Sequence, residues 1–161
     1  MRHPTPPIFP EHGHDHHPCM EDALERVRVA FAAKQIRLTD LRRLVFEEIA
    51  GSHAAVGAYD VQERLAKKGT RLAPVSIYRA LDALLEAGVV HRLESRNAYF
   101  ACHGDHGAGA VQVVLTCQHC GDVAEVAGDT VLKAIDAAAA KAHFKPSASI
   151  VEVSGVCGNC A

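Results

Sequence analysis

Two Cys-x2-Cys pairs, Cys117-Gln-His-Cys120 and Cys157-Gly-Asn-Cys160, stand 36 residues apart in the last third of the chain. Two residues between thiolates let both sulfurs face one ion from a tight turn, and two such turns complete a tetrahedral site. Four soft ligands with no open position describe structural zinc rather than a catalytic metal. Redox chemistry at either pair is the rival. Neither pair follows a strand and opens a helix, and two matching knuckles are hard to explain that way. A zinc deaminase fits no better: His91-Arg-Leu-Glu94 lacks the H-x-E spacing, and no Pro precedes Cys117.

The rest of the chain is ordinary globular material, 48% hydrophobic and 22% charged over 161 residues, so bulk disorder is excluded. No apolar run approaches the roughly 18 to 20 residues of a membrane span. The stretch MRHPTPPIFP has no apolar core of the kind a signal peptide carries. The expectation is a cytoplasmic protein with no membrane partner, in which six cysteines point to metal before disulfides. The net charge of −2 does not suggest a nucleic-acid binder. The charge is uneven, however: residues 21–96 hold thirteen Lys and Arg against eleven acids, and residues 97–161 three Lys against six.

Residues 1–20, with His3, His12, His14, His16 and His17, read as a disordered His-rich tail. From about Glu21 the pattern turns helical, with Leu24, Val27 and Phe31 at helix spacing. Thr39 suits the N-cap of a second helix with Leu41, Leu44, Val45 and Ile49 on its inner face and Gly51 at its end. A third helix runs from about Ala58 to Gly69. A fourth starts near Pro74 and stops before Gly88, with Ile77, Leu81, Leu84 and Leu85 inward. Winding at 100° per residue sets Ser76, Arg79 and Ala83 on its opposite side and Tyr78 on the margin.

The period then changes. VVHRLE (89–94) and NAYFAC (97–102), separated by Ser95-Arg96, form a β-hairpin. Helices followed by a hairpin give a winged helix-turn-helix over 21–102, whose helix before the wing enters the major groove. HGDHGAGA (103–110) is a hinge. Strands at 111–116 and 122–127, a helix at 129–143 and a strand at 149–153 make a small α/β domain over 111–161. The fold class is therefore α+β. The second domain is thin for its length, so a homodimer is expected to complete it.

In the hairpin His91 faces Phe100, which makes Cys102 its diagonal neighbour on the same sheet face, at the open end of the wing. Glu125 on a strand of the second domain and His106 on the glycine loop are placed to close a site with them. Two imidazoles, one thiolate and one carboxylate offset a 2+ charge and suit zinc better than a hard cation.

The runs AYD (58–60) and SIYRALDALLEAGVVHRLESRNAYFACH (76–103), followed by both knuckles, resemble the ferric uptake regulator superfamily, nearest to its zinc uptake regulator branch. The resemblance extends from Glu21 to Cys160. It implies a dimeric, metal-dependent repressor that binds a palindromic double-stranded operator, is not an enzyme and has no small-molecule substrate. It further implies two zinc ions per monomer: a structural one on Cys117, Cys120, Cys157 and Cys160, and a regulatory one with His91, Cys102 and Glu125 as ligands. Tyr78 and Arg79, with Ser76 beside them, match the DNA-touching part of the recognition helix, and Arg37 matches a basic residue that approaches the minor groove. The family's fourth regulatory ligand, a His seven residues before the first knuckle, is Ala110 here. His106 is the expected substitute and His103 the fallback. Val111-Gln-Val-Val-Leu-Thr replaces the His-rich strand of iron regulators, and Ser149 stands where some relatives carry a His. An iron or peroxide sensor, or a third metal site on the sheet, is not expected.

Overall fold

The computed structural model describes residues 16–102 and 112–161, together with 8, 9, 11 and 13. The hinge at 103–110, with His103 and His106, and most of the N-terminal tail lie outside the described residues.

The first helix, α1 (His16–Ala33), begins five residues before the expected Glu21. Pro18 permits this, because the first turn of a helix has no intrahelical use for the N–H that proline lacks. Ala23, Val27 and Phe31 recur every fourth residue and are buried. In α2 (Asp40–Ala50), Thr39 is the N-cap, its hydroxyl accepting from the Arg42 N–H at 3.3 Å. α3 (Ala58–Lys67) buries Ala58, Val61 and Leu65. α4 (Pro74–Ala87) starts on proline and ends at Gly88, whose φ of 75° is the left-handed conformation a C-cap glycine supplies. Contacts of α4 with α1, α2, α3 and a wing strand widen its buried arc, so Ile77, Ala80, Leu81, Leu84 and Ala87 all lie in the core. Ala83 does too, at 6% exposed, which corrects its expected place on the open side.

The wing has three strands in the order β1-β3-β2, formed by β1 (Val56–Gly57), β2 (Val90–Leu93) and β3 (Ala98–Ala101). β1 is too short to show a period in sequence. The hairpin closes through a 3₁₀ turn at Glu94–Arg96 and Asn97 at φ 47°, rather than through Ser95-Arg96 alone. His91 pairs with Phe100, as alternation requires.

The second sheet has the order β5-β4-β6, from β4 (Gln112–Cys117), β5 (Val123–Ala127) and β6 (Val151–Gly155). α5 (Asp129–Lys141) connects β5 to the far side of β4. β4 is antiparallel to β5 and parallel to β6, and Val114 pairs with both Glu125 and Glu152. That row and the next, Thr116 with Val123 and Ser154, belong to one face of the sheet. Leu93 and Phe100 of the wing cluster with Val123, and Val114 and Ala55 pack on them. The backbone joins the two domains as well: the Val123 N–H donates to the His53 carbonyl at 2.9 Å, and Ala54 bridges Asp122. The opposite face carries Val113, Leu115, Val126, Val151 and Val153, of which only Val113 is buried.

Candidate metal centres and nucleic-acid interface

Parallel pairing explains how two distant knuckles meet. Cys117 is in register with Gly155, so the turns that follow β4 and β6 leave the sheet at the same end. The first turn is closed by Gly121, at φ 80°, whose N–H donates to the Cys117 carbonyl at 3.0 Å. In the second, the Cys160 N–H donates to the Cys157 carbonyl at 3.0 Å. The Sγ atoms of Cys117, Cys120, Cys157 and Cys160 all lie within 4.8 Å of one another. Cys120 and Cys157 sulfurs are 3.8 Å apart, too far for a disulfide. It is also the edge of a tetrahedron with zinc–sulfur bonds of about 2.3 Å.

Electrostatics makes the same point. Backbone N–H groups of Cys120 and Cys157 point at the Cys117 sulfur, the latter at 3.4 Å, and hold its thiol down at about 5. Burial pushes the thiols of Cys120 and Cys160 up. One thiolate forms readily, but further negative charge in this cluster needs a cation.

The second cluster lies between the domains. His91 on β2, Cys102 just past β3 and Glu125 on β5 offer ligand atoms within 4.8 Å of one another. Each is held by its own element. The His91 ring packs against Phe100 in a tilted arrangement, with centroids 5.8 Å apart and the planes at 33°. The Cys102 N–H donates to the Val89 carbonyl at 3.0 Å, and the Arg26 guanidinium reaches its carbonyl at 3.5 Å. Glu125 Oε1 is 3.6 Å from His91 Nε2, and the Glu125 side chain is 5% exposed. Its Oε2 is buried with no hydrogen-bond partner among the described residues. A buried carboxylate oxygen left so is costly unless a cation takes it. Thiolate, carboxylate and imidazole together fit a zinc ion with one position left for a fourth ligand.

The expected nucleic-acid residues are less uniformly placed. Arg79 is exposed and Tyr78 is 39% exposed on α4, with exposed Val75 one turn before them. Ser76 is half-buried. Arg37 is exposed on the loop between α1 and α2, where its carbonyl accepts from the Arg42 guanidinium. Val75 carries no charge or periodic signal; only its place in the first turn of the helix expected to enter the groove could have drawn attention to it.

The family model described as the ferric uptake regulator family matches residues 33–154. The zinc uptake regulation protein of Escherichia coli (strain K12) is 31% identical over 140 residues, covering 87% of this chain and 82% of that protein. Among solved structures, a zinc uptake regulator complexed with zinc and DNA superposes with a TM-score of 0.79 at 31% identity, over 88% of this chain and 94% of that one. The crystal structure of holo XcZur gives a TM-score of 0.75 at 33% identity, over 88% and 97%. With the family model matched over residues 33–154 and a relative 31% identical over 87% of this chain's length, the chain belongs to the ferric uptake regulator family.

Proposed function

We propose that this chain is a zinc-responsive, DNA-binding repressor of zinc-uptake genes that acts as a homodimer. The observation that carries it is the His91, Cys102 and Glu125 cluster: two ligands belong to the wing and one to the second sheet, and the sheet's carboxylate is buried with an oxygen unsatisfied. Zinc bound there would tie the winged helix to the second domain. Cys102 and Glu125 supply the two negative charges, and His91, braced by Phe100, supplies a neutral nitrogen. His106 is the proposed fourth ligand. The four knuckle cysteines are the proposed structural site, which makes two ions per monomer. The division at 21–102, 103–110 and 111–161 goes with this reading, the hinge lying between the wing and the sheet it closes on. No helix among the described residues is long and apolar enough to cross a membrane, in keeping with a regulator that meets DNA in the cytoplasm.

Dimerisation is supported by what the second domain leaves uncovered. α5 has no buried residue, and Val131, Phe144, Ile150, Val153 and Val156 are 41–66% exposed. Five large apolar side chains exposed on a domain this small favour an interface. Ile150→Asp is expected to shift the dimer toward monomer in sedimentation at micromolar concentration, with helix content unchanged.

The deciding experiment measures affinity for a zinc-uptake promoter fragment with zinc present and with zinc chelated from the weaker site. Zinc is expected to be required. Arg79→Ala should lose about 1 to 3 kcal/mol of specific binding if it reads a base edge, and Tyr78→Ala should weaken contact with a thymine methyl. Affinity should fall as salt rises. Binding that ignores zinc, or that survives both substitutions unaltered, rules the reading out.

A further inference from the structure

The carboxylate row on the second sheet has two ends. Glu125 and Glu152 flank Val114 on neighbouring strands, so they stand two strand spacings apart, about 10 Å. Glu125 meets His91. Glu152 meets the backbone three and four residues further along: its Oε1 accepts the Glu94 N–H at 2.6 Å and its Oε2 the Ser95 N–H at 3.1 Å. Three residues of strand also span about 10 Å. The wing strand therefore lies across the sheet and touches it at both ends of one row. The apolar cluster containing Leu93 and Val114 lies between the two contacts.

The Glu152 contact uses groups with nowhere else to go. The first N–H groups of a 3₁₀ turn have no partner within it, and a carboxylate accepting two of them makes charge-assisted bonds. Glu94's own carboxylate is occupied with Arg92 at 3.4 Å. Burial alone would push the Glu152 carboxyl up; the hydrogen bonds from Ser95 and Glu94 outweigh it and hold the group below the usual carboxylate range.

We propose that Glu152 is a positioning residue of the zinc switch, docking the wing turn on β6 without metal and so setting the zinc concentration at which the closed, DNA-binding arrangement forms. This rests on the zinc-switch reading above. The apparent affinity of a site that exists only in a closed form is reduced by the fraction of molecules that are closed. Glu152 raises that fraction before zinc arrives. Because both hydrogen bonds are exposed to solvent, their effect is a few-fold adjustment rather than the switch itself.

The test uses the full chain with its knuckle zinc loaded, free zinc set by a chelator buffer, and the same promoter fragment. Glu152→Ala is expected to raise the zinc concentration for half-maximal DNA binding by about fivefold, with the maximum at saturating zinc unchanged. Glu152→Gln, which keeps the shape and one acceptor, should fall between. Independently of DNA, amide hydrogen exchange at Glu94 and Ser95 in the zinc-depleted protein should be slow in the wild type and fast in Glu152→Ala. An unmoved midpoint overturns the proposal. A lowered maximum also overturns it, since that would mark a merely structural residue. Fast exchange at both amides in the wild type removes the contact on which it stands. Wild-type DNA binding that is indifferent to zinc defeats the functional reading and, with it, the switch role; slow amide exchange would then show that the contact survives.

Discussion

Cys157→Ser is expected to leave three thiolates where zinc needs four ligands and to undo the second domain. Binding of structural zinc in small modules is worth about 10 kcal/mol or more in apparent terms, and in such modules it is folding free energy. This domain has little to set against that loss. Among the described residues of this domain, the buried aliphatic side chains larger than alanine are Val113 and Val123, and no residue of α5 is fully covered. The cysteines also join the ends of β4 and β6, whose pairing connects the sheet's last strand to the rest. The variant should lose one zinc per monomer, sediment as monomer or aggregate, and show no cooperative unfolding of the second domain. The winged helix, with its own core around Phe31, Phe46, Ile49 and Leu84, should keep its helical signal. A Cys157→Ser protein that remains a folded dimer with unchanged zinc content would falsify the structural assignment.

Much of this architecture was legible from local pattern. The helices of the winged helix announce themselves through caps and spacing, Thr39, Pro74 and Gly88 above all, and they form where those residues place them. The hairpin register followed from alternation, which is why the pairing of His91 with Phe100 could be read in advance. The knuckles were legible because metal geometry restricts ligand spacing more tightly than packing restricts sequence. What alternation could not supply was partner choice among distant strands. The parallel pairing of β4 with β6 joins segments with α5 between them, and without it Glu125 and Glu152 are unrelated acids on two short strands. The bridge between Ala54 and Asp122 and the two-residue strand β1 are likewise products of domain contact, with no period to betray them. Ala83 was misplaced because helical winding describes one face, whereas α4 is packed from several sides and an alanine is small enough to be covered.

Cys102→Ser should abolish zinc-dependent DNA binding while leaving the folded dimer and its knuckle zinc intact. A hydroxyl is a poor zinc ligand at neutral pH, so the substitution removes one of the two negative charges that offset the ion, leaving Glu125 and an imidazole 3.6 Å away. The expected consequence follows from where the three residues sit. His91 and Cys102 belong to the wing and Glu125 to the second sheet, so on the proposed mechanism all would reach one ion at about 2.0 to 2.3 Å only in the closed arrangement. Turning a mostly open population into a mostly closed one takes about 5.5 kcal/mol of differential binding, and loss of the thiolate should remove most of it. On the proposed mechanism, the closed form would hold each recognition helix at a defined distance from its twin, as two half-sites of an operator require. In an open form that distance would vary and the second half-site would be lost. His106→Ala should have nearly the same effect, and His103→Ala little. If the His103 variant proves to be the damaging one, the loop ligand changes and the switch remains. A Cys102→Ser protein that still binds its operator in response to zinc removes the clamp between wing and sheet as the mechanism.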